Sequence, residues 1–264
     1  MQVNPIGPFT LGKILSETIR MYRRNALGFL AIAAIVQIPL SMLTWLLFRS
    51  NEFPMEFPPQ EIPTASVWIS YIFNYLAKSL LVGLAWILMQ GALIHGISEQ
   101  FLWRPIQVEV AYYSSLNRFF PRLDALILSG FALLLMWITV LGIPFAIRYG
   151  GLWVFILQTA SVEELGPRAA MSRSAELVRG SWSRVASIFF VAGILFGILG
   201  VIIGLLVGFI PVAGATIGTI ITAPFLIIAH TILYFDLRTQ KDEAFNLEVL
   251  ASDLRIEVEE SPGS

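Results

Sequence analysis

The chain has 264 residues, of which 56% are hydrophobic and only 13% charged, with a formal net charge of −1 and no cysteine. A mean hydropathy of +0.76 excludes an ordinary soluble domain, whose surface needs far more polar side chains, and the missing cysteine excludes disulfides and thiolate metal sites. The small net charge conceals a segregation of basic residues between apolar runs from an acidic C-terminal stretch, Asp242 to Glu260, and it is this segregation that carries information.

In chain order, residues 9–25 wind into a helix with Leu11, Ile14, Leu15, Thr18, Ile19, Met21 and Tyr22 on one arc. Lys13, Glu17, Arg20, Arg23 and Arg24 fall on the other, the pattern of a helix lying on a membrane surface. Residues 25–48 carry no charge and exceed the roughly 18 apolar residues of a spanning helix, which predicts a first span over 26–48. The charged start is long and no small-residue cleavage site follows the apolar run, so this span is expected to stay as an anchor rather than leave with a signal peptide. The stretch "TASVWISYIFNYLA" (64–77) reads as an outer interfacial or partly embedded helix extension of a second span over 79–97.

Residues 105–122 place Val108, Tyr112, Leu116, Phe119 and Phe120 together, with Glu109 intruding. Spans at 124–142 and 145–162 follow, joined by a tight turn at "LGIP" (141–144). Residues 168–184, wound as one helix, put Arg168, Ser172, Arg173, Glu176, Arg179, Ser183 and Arg184 on one half. Ala170, Met171, Ala175, Leu177, Val178 and Trp182 take the other half, again a surface helix. The uncharged run 185–235 is too long for one crossing, and "GFIPVAGAT" (208–216) divides it into spans at 185–208 and 212–236. Residues 241–264 form an acidic tail, in which Phe245, Leu247, Leu250 and Leu254 support a short amphipathic helix and "LRIEVEE" (254–260) alternates as a strand would.

The expected fold class is all-α: a polytopic membrane protein whose six transmembrane helices form three hairpins, each preceded by a cytoplasmic-face amphipathic helix. The three copies share a proline (Pro8, Pro105, Pro167), about sixteen residues of surface helix, and an arginine (Arg24, Arg122, Arg184) before the hairpin. Residues 1–240 make the membrane domain and 241–264 a cytoplasmic tail. Basic residues set the orientation: Lys13, Arg20, Arg23, Arg24, Arg104, Arg118, Arg122, Arg168, Arg173, Arg179 and Arg184 share one side, against Arg49, Lys78 and Arg148 on the other. Both termini are therefore expected in the cytoplasm, with the protein in the cytoplasmic membrane.

Candidate functional residues follow from this placement. Lys13, Arg20, Arg23, Arg24, Arg168, Arg173, Arg179 and Arg184 are expected to face anionic lipid headgroups, the partner class the basic rim implies. Gly193, Gly197, Gly200, Gly204 and Gly208, with Gly214 and Gly218, make smooth faces on which two helix backbones approach closely. His95, Arg148 and His230 are polar groups near membrane depth; the histidines read as groups satisfied at helix contacts, and Arg148, like Lys78, as a side chain snorkelling outward. Pro39 and Pro224 lie inside spans and are candidate kinks. No Gly-x-Ser-x-Gly, phosphate-binding loop or carboxylate pair is readable, so neither catalysis, a metal nor a cofactor is expected, and nucleic acid is not an expected partner.

The run "EELGPRAAMSRSAELVRGSWSRV" (163–185), with acidic residues, Gly-Pro, Arg-Ser and Leu-Val-Arg-Gly in that order, resembles the membrane domain of the glycerophosphoryl diester phosphodiesterase family. "LYFDLRTQKDEAFNLEVL" (233–250) and "FTLGKILSETIRMYRRN" (9–25) are similar to that family's closing and opening segments. The chain departs from the family where a Glu-Gly-Phe-Asp pattern gives way to Asp242, Glu243, Ala244, Phe245 and Asn246. In the enzymes a separate soluble barrel carries the His, Glu and metal chemistry, and these 264 residues show no such barrel. The resemblance thus implies the fold of a stand-alone member and argues against hydrolysis. The expected function is a non-catalytic, lipid-interacting scaffold or accessory protein whose surface helices or tail hold a protein partner. A small-solute transporter or channel, and a membrane subunit supporting a separately encoded hydrolase, are the alternatives.

Overall fold

The computed structural model describes residues 9–48, 64–208, 213–242, 245 and 247–254, and all regular structure among them is helical. The order is α1 (Leu11–Arg24), α2 (Ala26–Phe48), α3 (Ala65–Phe101), α4 (Val108–Asn117), α5 (Phe119–Ile138), α6 (Ile143–Leu152), α7 (Ile156–Val162), α8 (Pro167–Val178), α9 (Trp182–Val207), α10 (Ala213–Lys241) and α11 (Leu247–Asp253). Six helical segments are long and apolar enough to cross a membrane: α2, α3, α5, α6 with α7, α9 and α10.

Local chemistry explains most boundaries. Thr10 caps α1 by accepting from the Lys13 amide at 3.3 Å, and Arg23 and Arg24 complement the helix dipole in the last turn. The turn at 139–142 is a 3-10 turn, Val140–Gly142, and Pro144 sits in the first turn of α6, where its missing N–H costs nothing. Pro39 and Pro224 both lie inside their helices, α2 and α10. Residues 209–212 of the divider 208–216 lie outside the described residues, as do the strand-like 255–260.

Three boundaries differ from the sequence expectation. α3 is one helix of 37 residues, about 55 Å at 1.5 Å per residue, so 64–77 continues the second span without interruption. Residues 168–184 are two helices, because α8 stops at Val178 and Gly180 takes the left-handed conformation (φ +86) that glycine adopts most cheaply. Arg184 therefore belongs to the first turn of α9. In the third segment, α4 buries Ala111 and Ser115 while Leu116 and Phe120 are exposed. Small residues let α4 lie close on α3, and Arg122, inside α5, folds back into that contact.

Between α6 and α7 the helix is interrupted at Trp153–Phe155. Ser174 of α8 reaches into the gap: its hydroxyl donates to the Leu152 carbonyl at 2.8 Å and accepts from the Phe155 amide at 3.1 Å. Thr159 adds hydroxyl bonds to Phe155, Ile156 and Ala170 carbonyls. Freed backbone groups are thereby satisfied inside the protein, the condition for non-helical backbone at membrane depth.

Burial is concentrated at one end of the bundle. It takes in the N-terminal turns of α2 (Phe29, Ile32, Ala33, Val36), α5 (Arg122, Ala125, Ser129) and α9 (Val185, Ile188, Ala192). It also takes in the C-terminal halves of α3 (Ile87, Met89–Glu99) and α10 (Ile227–Ala229, Thr231–Arg238). Alternating chain direction brings these five stretches together as the packed end. α1, α8 and α11 cover that end, with Ile14, Thr18 and Tyr22 of α1, Ala170, Ser174, Leu177 and Val178 of α8, and Leu250, Ala251 and Leu254 at α11 buried.

Candidate functional site

At the packed end, charged side chains that the sequence placed singly come together in pairs. Arg173 of α8 donates from Nε to Glu163 Oε2 at 2.8 Å, pairs with Asp242, and lies 3.4 Å from Glu176. Burial pulls the Arg173 guanidinium's pKa down, but the hydrogen bond to Asp242 and the charge of Glu163 outweigh it and raise it, so the group stays charged. The buried Tyr234 hydroxyl donates to the other Glu163 oxygen at 2.7 Å. Arg184 pairs with Asp236 and donates to the Phe9 carbonyl at 2.6 Å, while Asp236 accepts from the Phe9 amide at 3.0 Å. One guanidinium–carboxylate pair thus grips the segment leading into α1 by both backbone groups of one residue.

The tail joins this network. Arg238 pairs with Asp253 of α11 at 2.8 Å and lies 4.3 Å from the Phe245 ring centroid, and Arg118 binds Glu164 and the Ser161 carbonyl. Lys241 closes α8 by donating to the Glu176 and Arg179 carbonyls at 2.9 and 2.6 Å, satisfying acceptors that a helix end leaves open.

Arg122 is the largest fully buried side chain. Its guanidinium is held by carbonyls of Arg118 (2.9 Å), Ile87 (3.5 Å) and Ser115, and by the Ser115 hydroxyl (3.2 Å). It lies against Gly91 so closely that a Cβ there would occupy the same space. Beside this clamp the Tyr112 hydroxyl donates to the Ile32 carbonyl, and burial raises the phenol's pKa.

The expected headgroup-facing residues therefore divide. Arg173 and Arg184 are bound to carboxylates within the protein, and Arg20 lies 2.8 Å from Glu17 on the surface of α1. Lys13, Arg23, Arg24, Arg168 and Arg179 are exposed. The glycines divide as well. Gly200, Gly204, Gly214 and Gly218 form the α9–α10 contact, where a Cβ on Gly214 would come 2.6 Å from the Gly204 carbonyl and one on Gly218 3.0 Å from that of Gly200. Gly193 and Gly197 face open space, while Gly208 joins the contact, since a Cβ on Gly214 would come 3.1 Å from its Cα.

His95 and His230 sit on α3 and α10 and are not brought into a shared site. Neither is satisfied as expected: His95 Nε2, 3.8 Å from Glu99, and His230 Nε2, whose ring stacks on Phe189 with centroids 3.6 Å apart, are both buried without a hydrogen-bond partner among the described residues. Arg148 is exposed on α6 and Lys78 on α3. Among the described residues no three His, Cys, Asp or Glu side chains gather where a metal ion would need them.

A cleft of about 290 Å³ opens between α1, the end of α3 and α10. Phe9, Met21, Phe101 and Ile232 give it an apolar wall, while Lys13, Glu17, Arg20 and Arg24 stand on its lip. Lys13 Nζ lies 4.2 Å from the Phe9 ring centroid, and the Arg24 guanidinium 5.5 Å from that of Trp103. Trp103 ends α3 in a two-bond turn, in which its amide donates to the Gln100 carbonyl at 3.2 Å and that of Arg104 to Glu99 at 3.0 Å. It holds the left-handed conformation (φ 61) and leaves the indole 60% exposed.

Sequence reading missed Arg122 with Gly91, the carboxylates Glu163 and Asp236 as partners, and Trp103. Traces of each were present: a glycine within an apolar run, carboxylates at the ends of uncharged runs, and a tryptophan where a helix stop usually carries glycine. Comparison of the chain with known protein families, with curated proteins and with solved structures finds no match.

Proposed function

We propose that the protein is a non-catalytic, multi-pass scaffold of the cytoplasmic membrane that engages anionic lipid with its packed end, with both termini in the cytoplasm and α1, α4 and α8 lying along the inner leaflet. The observation that carries this reading is the division of the basic residues. Carboxylates bind Arg173, Arg184 and Arg238 into a rigid plate, while Lys13, Arg23, Arg24, Arg168 and Arg179 stand exposed on α1 and at α8. Cations left exposed beside apolar helices attract an anionic surface by about 1 kcal/mol each, less where salt screens them. The plate keeps those cations at fixed positions, as a scaffold requires. On this reading the chain is a relative of the membrane domain in glycerophosphoryl diester phosphodiesterases.

The test is lipid retention in native mass spectrometry from nanodiscs of mixed phosphatidylglycerol and phosphatidylcholine. Enrichment of phosphatidylglycerol that falls when Lys13, Arg24, Arg168 and Arg179 are all replaced by Gln supports the reading, and equal retention of both lipids overturns it. Labelling of single cysteines placed by Ser16→Cys or Ser252→Cys, both exposed, from outside intact cells would overturn the orientation.

A transport reading has one observation in its favour. His95 Nε2, Gln158 Oε1, Ser161 Oγ and Thr231 Oγ1 are buried without a hydrogen-bond partner among the described residues, and unsatisfied polar atoms at membrane depth are costly unless water or solute reaches them. Solute flux in proteoliposomes that disappears with Gln158→Leu would favour it.

A further inference from the structure

We propose that the cleft between α1, the end of α3 and α10 is a binding site for one anionic phospholipid, its phosphate held by Arg24 beside Trp103, with Lys13, about 16 Å back along α1, as a second cation on the same rim, and the first methylenes of its acyl chains laid against Phe9, Met21, Phe101 and Ile232. The inference rests on the lipid-engaging reading above and narrows it from a charged surface to a single site.

Three independent features converge there. The first is charge. Of the four ionisable groups on the lip, Glu17 is occupied by Arg20 at 2.8 Å, while Lys13 and Arg24 contact aromatic faces and no carboxylate among the described residues. Cations held over aromatic rings are positioned but not neutralised. The second is the combination of a cationic lip and an apolar wall in one cleft of about 290 Å³. A free phosphate would use the lip and leave the wall wet, a plain acyl chain would use the wall alone, and an anionic phospholipid matches both.

The third is Trp103. The closing position of this helix stop needs a positive φ, which glycine adopts without strain and a tryptophan does not. Strained residues that persist at a cleft are pointers to function. Here the strain holds an exposed indole beside Arg24, where an amphipathic ring suits the headgroup level of a bilayer. Gln100 stiffens the same turn, accepting from Asn25 and donating to the Arg104 carbonyl at 2.6 Å, which ties the start of α2 to the cleft floor.

The experiment is native mass spectrometry of the full chain with dioleoyl phosphatidylglycerol titrated against dioleoyl phosphatidylcholine, read alongside the unfolding temperature. The expected result is one phosphatidylglycerol retained above the rest, weakened roughly tenfold by Lys13→Gln with Arg24→Gln, and weakened by Trp103→Gly although that change relaxes the backbone and leaves the unfolding temperature equal or higher. Arg168→Gln with Arg179→Gln should leave the single retained lipid in place. If the Arg168 and Arg179 pair weakens retention as much as the Lys13 and Arg24 pair, the site is overturned while the broader lipid-engaging reading stands. If no variant alters lipid preference because none exists, both fall. Displacement of the lipid by millimolar glycerol phosphate would assign the lip to a soluble anion and overturn the proposal.

Discussion

The two ends of the bundle use the same helices in opposite ways. At the packed end α3 buries every residue from Met89 to Glu99, whereas toward its start, in the segment 65–86, it buries none. α9 is more extreme, with buried residues only at Val185, Ile188 and Ala192, and Leu205 and Leu206 more than 70% exposed. Hydrocarbon is as apolar as leucine, so apolar side chains gain little by leaving lipid for one another. Helices cohere where they have small residues, hydrogen bonds and ion pairs to exchange, and those lie at the packed end. At the open end the glycine faces of α9 and α10 make such a contact among the described residues.

A pair of glycines on one helix should separate the ends most sharply. Gly91→Ala drives a methyl into the Arg122 guanidinium and should cost roughly 3–5 kcal/mol by breaking a buried charged cluster, whereas Gly83→Ala, with nothing within 4 Å, should be neutral or slightly stabilising. Thermal unfolding in detergent measures both, and equal shifts would erase the contrast. Arg184→Gln removes the bonds to Asp236, 52 positions away, and to the Phe9 carbonyl, 175 positions away, and should cost about 2–3 kcal/mol, visible also as faster proteolysis near residue 9.

The glycine contact supplies the next measurement. Gly218→Ala and Gly214→Ala should cost about 1–3 kcal/mol each, since the obstruction is a backbone carbonyl that cannot rotate away. Gly193→Ala and Gly197→Ala should change stability by less than about 0.5 kcal/mol, and a large loss at either would mean that a further surface covers α9. Smallest of all, Arg168→Gln with Arg179→Gln should leave the unfolding temperature unchanged, because both side chains are exposed; a clear drop would mean that these arginines belong to the charge network.

Much of the fold was legible because hydropathy is a property of short windows. The spans at 26–48 and 185–208, the turn at "LGIP" and the buried Ile14, Thr18 and Tyr22 of α1 follow from periodicity and turn chemistry in neighbouring residues. Winding 168–184 as one helix failed at Gly180, whose positive φ outweighed an apolar pattern that continued past it. In the third surface segment α4 packs on the protein through Ala111 and Ser115, so small size rather than hydrophobicity decided that contact.

The sequence by itself determined that the chain is helical, apolar enough to cross a membrane six times, and basic between alternate pairs of runs. Those properties sum over local residues, and each apolar window needs no partner to be favourable in hydrocarbon. Only the tertiary structure decided that Arg173 and Arg184 are bound to carboxylates while Arg168 and Arg179 are exposed, that Arg122 is clamped on Gly91, and that Trp103 stands beside Arg24 over an apolar cleft. A charge in a mostly apolar protein takes its meaning from the group a few ångströms away, and here that group lies 52 positions along the chain for Arg184, 69 for Arg173 and Asp242, and 35 for Arg122 and the Ile87 carbonyl.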